Sequence, residues 1–217
     1  LHSREDCIAY ADQHGIPVPQ AKKRLYSEDR NVWHISHEGA ELESLDEGVK
    51  DEVYTLSVPL SQAPDVAEDF ELGFEKGVPV SLNGETLDLL SLLKKLNALG
   101  ARHAVGQVDL VENRLVGIKS RGIYETPGGT ILYAAHQKLE EVVLDRATLR
   151  AKEKMALDYA DLVYDGRWFT PLRESMDAFV AVTQQRVTGS VKGRVYKGQC
   201  LPQTGQSPHA LYMEDLA

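Results

Sequence analysis

Three polar, irregular stretches carry the side chains most able to do chemistry. The first is Tyr26-Ser27-Glu28-Asp29-Arg30-Asn31, followed by His34-Ile35-Ser36-His37-Glu38-Gly39. It gathers hydroxyls, two imidazoles and several charges. Such groups cost stability when buried without partners, so they mark either a ligand surface or turn caps and solvated side chains. His34 and His37 invite a metal reading. Their His-x-x-His-Glu order matches neither the His-Glu-x-x-His of zincins nor its inverted form, and no third ligand lies nearby, so no metal is expected. The second stretch is Val111-Glu112-Asn113-Arg114. Its pattern puts Glu112 at a turn between two apolar strands, where a carboxylate on a rigid base can meet a ligand ammonium or simply face solvent at a hairpin tip. The third runs from Lys119 through Ser120, Arg121, Gly122, Ile123, Tyr124 and Glu125 to Thr126-Pro127-Gly128-Gly129-Thr130. Two cations precede a Gly/Pro loop that opens a helix, and free N–H groups at a helix start favour anions. The Gly-Lys-Ser/Thr ending of a Walker loop is missing, and a purely structural turn is the alternative.

The elements that must position these groups alternate in blocks. Ser3 to His14 reads as a helix capped by Ser3 and stopped by Gly15. Ile16-Pro17-Val18-Pro19 is then forced into an extended form and marks a domain boundary. Residues 20–43 lack periodicity and read mostly as loop. Tyr54, Leu56 and Val58 alternate with polar residues, as do Phe70, Leu72 and Phe74, and both predict strands. Lys76-Gly77 before Val78, Val80 and Leu82 predicts a hairpin, and Asn83-Gly84 another tight turn. Leucines from Leu87 to Leu99 are spaced for a helix ending at Gly100. Val108 to Leu110 and Leu115 to Ile118 predict two strands joined at residues 112–114. A loop over residues 121–129 leads to a helix from Thr130. Asp145 caps a helix that ends near Gly166, and Thr170-Pro171 starts one reaching about Arg186. Residues 187–201 alternate again and read as a closing hairpin. One wet and one buried face per strand implies antiparallel pairing. The fold class is therefore α+β, a mainly antiparallel sheet packed with several helices.

Composition narrows the function classes. The chain has 217 residues and a net charge of −9, which disfavours nucleic acid or an anionic membrane as partner. Cys7 and Cys200 stand far apart and form no disulfide framework, which points to the cytoplasm. No apolar run approaches the ~20 residues that span a bilayer. The chain begins at Leu1 rather than Met, and reads as a piece of a longer protein.

Together the polar stretches resemble argininosuccinate synthase. The likeness is carried by Asp29-Arg30-Asn31-Val32-Trp33-His34-Ile35-Ser36, by Gly73 to Val80, by Gly106 to Thr130, by Ala160-Asp161-Leu162-Val163-Tyr164 and by Ser207 to Tyr212. It covers nearly the whole chain in order, and the run from Val111 to Thr130 is specific to that family. The resemblance implies a ligase that joins L-citrulline and L-aspartate with ATP and Mg2+ through a citrullyl-adenylate, releasing pyrophosphate and then AMP. It implies that residues 1–19 are the last helix and linker of an absent nucleotide-binding domain, which would bind the ATP. Residues 20–217 would be the citrulline-binding synthetase domain, without its terminal oligomerisation tail. The fragment alone is expected to be inactive and the full-length protein to be a homotetramer. The family's citrulline contacts fall on Ser27, Ser36, Glu112 and Tyr124, and no catalytic acid or base is assigned. A stand-alone, non-catalytic amino-acid-binding or oligomerisation module is the alternative.

Overall fold

Alternating apolar residues build one sheet directly. In the computed structural model, which describes residues 4–17, 26–213 and 215, Phe70, Leu72 and Phe74 are buried on one side of β3 (Glu68–Glu75). β3 pairs with β4 (Val78–Leu82), which turns into the short β5 (Glu85–Thr86), and on its other edge with β8 (Gly189–Tyr196) and β9 (Gln199–Gln206). The order is β5-β4-β3-β8-β9, antiparallel at each pairing. Helices α2 (Leu89–Arg102) and α3 (Pro127–Val143) cover its apolar side. Leu92, Leu96, Leu99, Ile131, Ala135 and Leu139 close the core against Val191 and Val195. Each such leucine or phenylalanine contributes on the order of 1.5–3 kcal/mol by leaving water. Asp88 caps α2 by accepting from Leu90 and Ser91 N–H, each at 3.0 Å.

Two further helices stand beside this layer. α4 (Arg146–Tyr164) is capped by Asp145, and α5 (Pro171–Gln184) by Thr170 with Pro171 in its first turn. They are tied to α3 through the buried Glu140 carboxylate, which receives Lys152 Nζ at 2.8 Å and Gln184 Nε2 at 2.6 Å. The first helix, α1 (Arg4–Gln13), ends as expected at Gly15 in the left-handed conformation, φ 63°. Ser3, Val18 and Pro19, invoked for its cap and for the boundary, lie outside the described residues.

A second antiparallel sheet carries the polar stretches. It consists of β1 (Ser27–Arg30), β2 (Ile35–Glu38), β6 (Gln107–Asn113) and β7 (Lys119–Glu125), in the order β1-β2-β7-β6. One face is covered by residues 40–63, which include 3-10 turns at Ala40–Glu43, Asp51–Val53 and Leu60–Gln62. Under this cover Ile123 packs with Tyr26, Leu42 and Val53.

Several expectations are corrected here. The segment read as loop contains β1 and β2, joined by a tight turn in which Asn31 Oδ1 accepts from Trp33 N–H at 2.8 Å and His34 N–H at 3.0 Å. Residues 54–58 are not a strand. The N–H groups of Thr55, Leu56 and Ser57 instead converge on the fully buried Glu125 carboxylate at 2.8, 3.1 and 2.7 Å. Ser57 Oγ donates to the same carboxylate at 2.6 Å and His37 Nε2 lies 3.0 Å away. Burial pushes the Glu125 carboxyl up, but His37, Ser57 and the backbone donors outweigh that and hold it at about 2. The turn between β6 and β7 is formed by Arg114 to Ile118, closed by Arg114 N–H to Ile118 O at 2.8 Å, so Leu115, Val116 and Ile118 are exposed rather than strand residues. Residues 121–125 belong to β7, and α3 begins at Pro127, three residues before Thr130.

Candidate functional site

Side chains alternate between the two faces of a strand, and directly paired residues share a face. Register therefore decides what the second sheet presents on its uncovered side. Ser36 pairs with Tyr124, Asp29 with Ser36, and Ser27 with Glu38. Glu38 pairs with Gly122, and Glu112 pairs with Ser120. Residues 120, 122 and 124 alternate along β7, so Ser27, Ser36, Glu112 and Tyr124 all lie on one face. His37, Ile123 and Glu125 occupy the opposite, covered face and are fully buried. The four residues singled out from the sequence thus form a band across all four strands, with Ser27 and Glu112 on the two edge strands.

Two of the four touch. The Tyr124 hydroxyl donates to Glu112 Oε2 at 2.8 Å. The Tyr124 ring reaches Glu112 by lying over Gly122, where a Cβ would stand 2.6 Å from ring Cε2 and 2.9 Å from the hydroxyl. Only glycine leaves that space. Burial raises the Tyr124 phenol well above its usual range, and the bond to Glu112 raises it further, so it remains a proton donor. Ser36 is buried beside Tyr124, and the His34 ring centroid lies 6.0 Å from that of Tyr124. Ser27 sits further out, on the edge strand β1.

The polar groups of residues 119–130 are engaged within the domain, as the structural-turn alternative expects. Arg121 points to the covered face and is buried. Its Nε and Nη2 bind the Asp109 carboxylate at 2.8 and 2.7 Å, and its Nη1 donates to the carbonyls of Leu42, Ser44 and Glu47. Those bonds staple the covering segment to the sheet. Lys119 Nζ donates to Asn113 Oδ1 at 2.7 Å. At the start of α3, Gly128 N–H is taken by Asn97 Oδ1 of α2 at 2.9 Å. Asn97 does the work of a cap from a neighbouring helix, since the Thr126 side chain makes no capping bond.

Sequence reasoning passed over three members of the uncovered face. Arg114 Nε donates to Ser120 Oγ at 2.8 Å, and Arg114 Nη2 is paired with Glu38. Their parity with Glu112 and Tyr124 was available in the numbering, but it carries meaning only once residue 112 is placed in a strand. A hollow of about 480 Å³ between α4 and α5 offers less. Its polar groups are engaged among neighbouring side chains: Asp177 accepts from the Tyr159 hydroxyl at 2.9 Å and pairs with Arg173, and Lys152 is held by Glu140.

Fold and face together define the class: an α+β domain presenting a polar, hydrogen-bonding sheet face built around a phenol–carboxylate pair. The family described as Arginosuccinate synthase C-terminal domain matches residues 26–217. The chain is 58% identical over 217 residues to argininosuccinate synthase of Desulforamulus reducens, covering 100% of this chain and 54% of that protein. It is 54% identical over 216 residues to argininosuccinate synthase of Moorella thermoacetica, covering 100% of this chain and 53% of that one. With the chloroplastic argininosuccinate synthase of Arabidopsis thaliana the figures are 52% over 217 residues, 100% and 44%. The chain belongs to the argininosuccinate synthase C-terminal domain family, and it spans about half the length of the curated relatives it matches. Among the described residues, no helix is long and apolar enough to cross a membrane.

Proposed function

We propose that this chain is the citrulline-binding part of an ATP-dependent ligase that makes argininosuccinate for arginine biosynthesis. The observation that carries the reading is the shared face of Ser27, Ser36, Glu112 and Tyr124. Citrulline presents an α-ammonium, an α-carboxylate and a neutral ureido group. Glu112 supplies the anion for the ammonium, and Tyr124 holds that carboxylate in place through its hydroxyl. The Ser27 and Ser36 hydroxyls donate or accept as the ligand requires. In the reaction the ureido oxygen attacks the α-phosphorus of ATP and pyrophosphate leaves. The aspartate amine then attacks the ureido carbon, and AMP leaves. Catalysis of this kind rests on alignment and charge neutralisation, and no acid or base is assigned to these residues.

The engagement of Lys119 by Asn113 and of Arg121 by Asp109 supports placing the ATP and Mg2+ contacts mainly outside this chain. We read residues 1–19 as the trailing helix and linker of a nucleotide-binding domain and residues 20–217 as the synthetase domain. The complete protein is read as a cytoplasmic homotetramer, and the fragment alone as inactive. A stand-alone binding module would use the same face, but the match of the whole chain to proteins named as synthases favours the enzyme. The test is Glu112→Gln in the full-length protein. Losing a charge-assisted bond of about 1.5–3 kcal/mol raises the citrulline KM by roughly 10- to 150-fold, with that for ATP little changed. Unchanged citrulline kinetics removes Glu112 from the pocket.

A further inference from the structure

Glu112 has a competitor for any ligand cation. Arg114 follows it by two residues, at the start of the turn that leaves β6. The Arg114 Nε is 2.8 Å from Ser120 Oγ, and Ser120 is the residue directly across the strands from Glu112. Side chains in such a pair stand roughly 5 Å apart, so this guanidinium is within a short swing of the Glu112 carboxylate. A guanidinium is a permanent cation with a fork that fits a carboxylate. Paired with Glu112, it would occupy the oxygens that an ammonium needs. It is held elsewhere: Arg114 Nη2 pairs with Glu38, which reaches it from β2, while among the described residues Glu112 is met by the Tyr124 hydroxyl, a neutral donor. The Glu38 carboxylate is also the foremost of the charges that raise the Arg114 guanidinium, ahead of Glu112.

We propose that Glu38 is a positioning residue for substrate binding, which parks the Arg114 guanidinium against itself and Ser120 and so keeps Glu112 open for the ammonium of an α-amino acid. This rests on the assignment of Glu112 to the pocket. Glu38 does not touch the ligand; it acts by denying Glu112 an internal partner. The consequence is unlike that of an ordinary structural ion pair. Removing the anion alone harms binding, because the freed cation turns to Glu112. Removing the cation as well repairs the harm.

Steady-state kinetics of the full-length protein tests this with four variants. Glu38→Gln raises the citrulline KM about tenfold, the size of effect expected when a charge-assisted contact is blocked, and leaves kcat and the KM for ATP near wild type. Glu38→Asp, which keeps the anion, stays near wild type. Arg114→Gln alone changes the citrulline KM by less than about threefold, and the Glu38→Gln/Arg114→Gln double variant returns to the value of Arg114→Gln. The proposal is overturned if Glu38→Gln has no effect, or if the double variant binds citrulline no better than Glu38→Gln. A tenfold rise in KM for Arg114→Gln also overturns it, and that variant carries the test even if Glu38→Gln does not fold. Glu112→Gln run in parallel separates the two levels. If it leaves the citrulline KM unchanged, the pocket itself is misplaced; if it raises KM while Glu38→Gln does not, only the parking role fails.

Discussion

Replacing Glu125 with Gln removes one charge from the centre of the second sheet's covered side, and the structure sets the size of the effect. The Glu125 carboxylate has no exposure and accepts from Thr55, Leu56 and Ser57 N–H and from Ser57 Oγ, with His37 Nε2 at 3.0 Å. Its carboxyl is held at about 2. An unfolded glutamate titrates near 4.3, and the gap corresponds to about 3 kcal/mol of stability. The folded value lies below the unfolded one. The contribution is therefore complete above about pH 4.3 and is lost as pH falls towards 2. Gln offers one carbonyl and turns an NH2 towards N–H donors, so it recovers little of this. Urea unfolding of both proteins, followed by Trp33 and Trp168 fluorescence, measures the difference. At pH 7 the variant is less stable by about 3 kcal/mol with a similar m-value, and the gap narrows below pH 4. Other carboxylates with lowered values, Glu68 and Asp109 among them, titrate in both proteins and cancel in the comparison. A gap under about 1 kcal/mol at pH 7, or one that does not shrink in acid, refutes the view that Glu125 anchors residues 55–57 as an anion.

Two further predictions concern the open face. Gly122→Ala places a methyl group where the Tyr124 ring lies, 2.6 Å from Cε2. The ring can swing outward, so the fold keeps most of its stability while the phenol leaves Glu112; the citrulline KM in the full-length protein rises about tenfold, and an unchanged KM would sink this role for the glycine. Tyr124→Phe removes the donor to Glu112 at 2.8 Å and keeps the ring. It raises the citrulline KM by roughly five- to tenfold with little change for ATP, and an equal loss for both substrates would point to a general disturbance instead.

Much of the fold was legible because local signals agreed with tertiary packing. Phe70, Leu72 and Phe74 alternate and lie in the core of the first sheet, and the caps at Asp145 and Thr170 start helices where the sequence placed them. The second sheet was hard to read for a physical reason. β1 is Ser-Glu-Asp-Arg and β2 is Ile-Ser-His-Glu, so the usual apolar alternation is replaced by hydroxyls on one face and a buried His37 on the other. The apolar Leu115 to Ile118 misled in the opposite sense, because they form an exposed turn. Thr55 to Ser57 look like a strand but spend their N–H groups on a carboxylate 68 to 70 residues away. The candidate site residues came from family resemblance rather than from pattern. Glu112 in particular was placed at a turn, whereas its position in β6 is what sets it on the same face as Tyr124.

The central claim is that an amino acid binds on the uncovered side of the second sheet. A crystal structure of the full-length protein with bound citrulline tests it most directly. The ligand ammonium should lie within hydrogen-bond distance of the Glu112 carboxylate, with the hydroxyls of Tyr124, Ser27 and Ser36 on the same molecule. Citrulline seated elsewhere, for example in the hollow between α4 and α5, with none of these four side chains in contact, would contradict it.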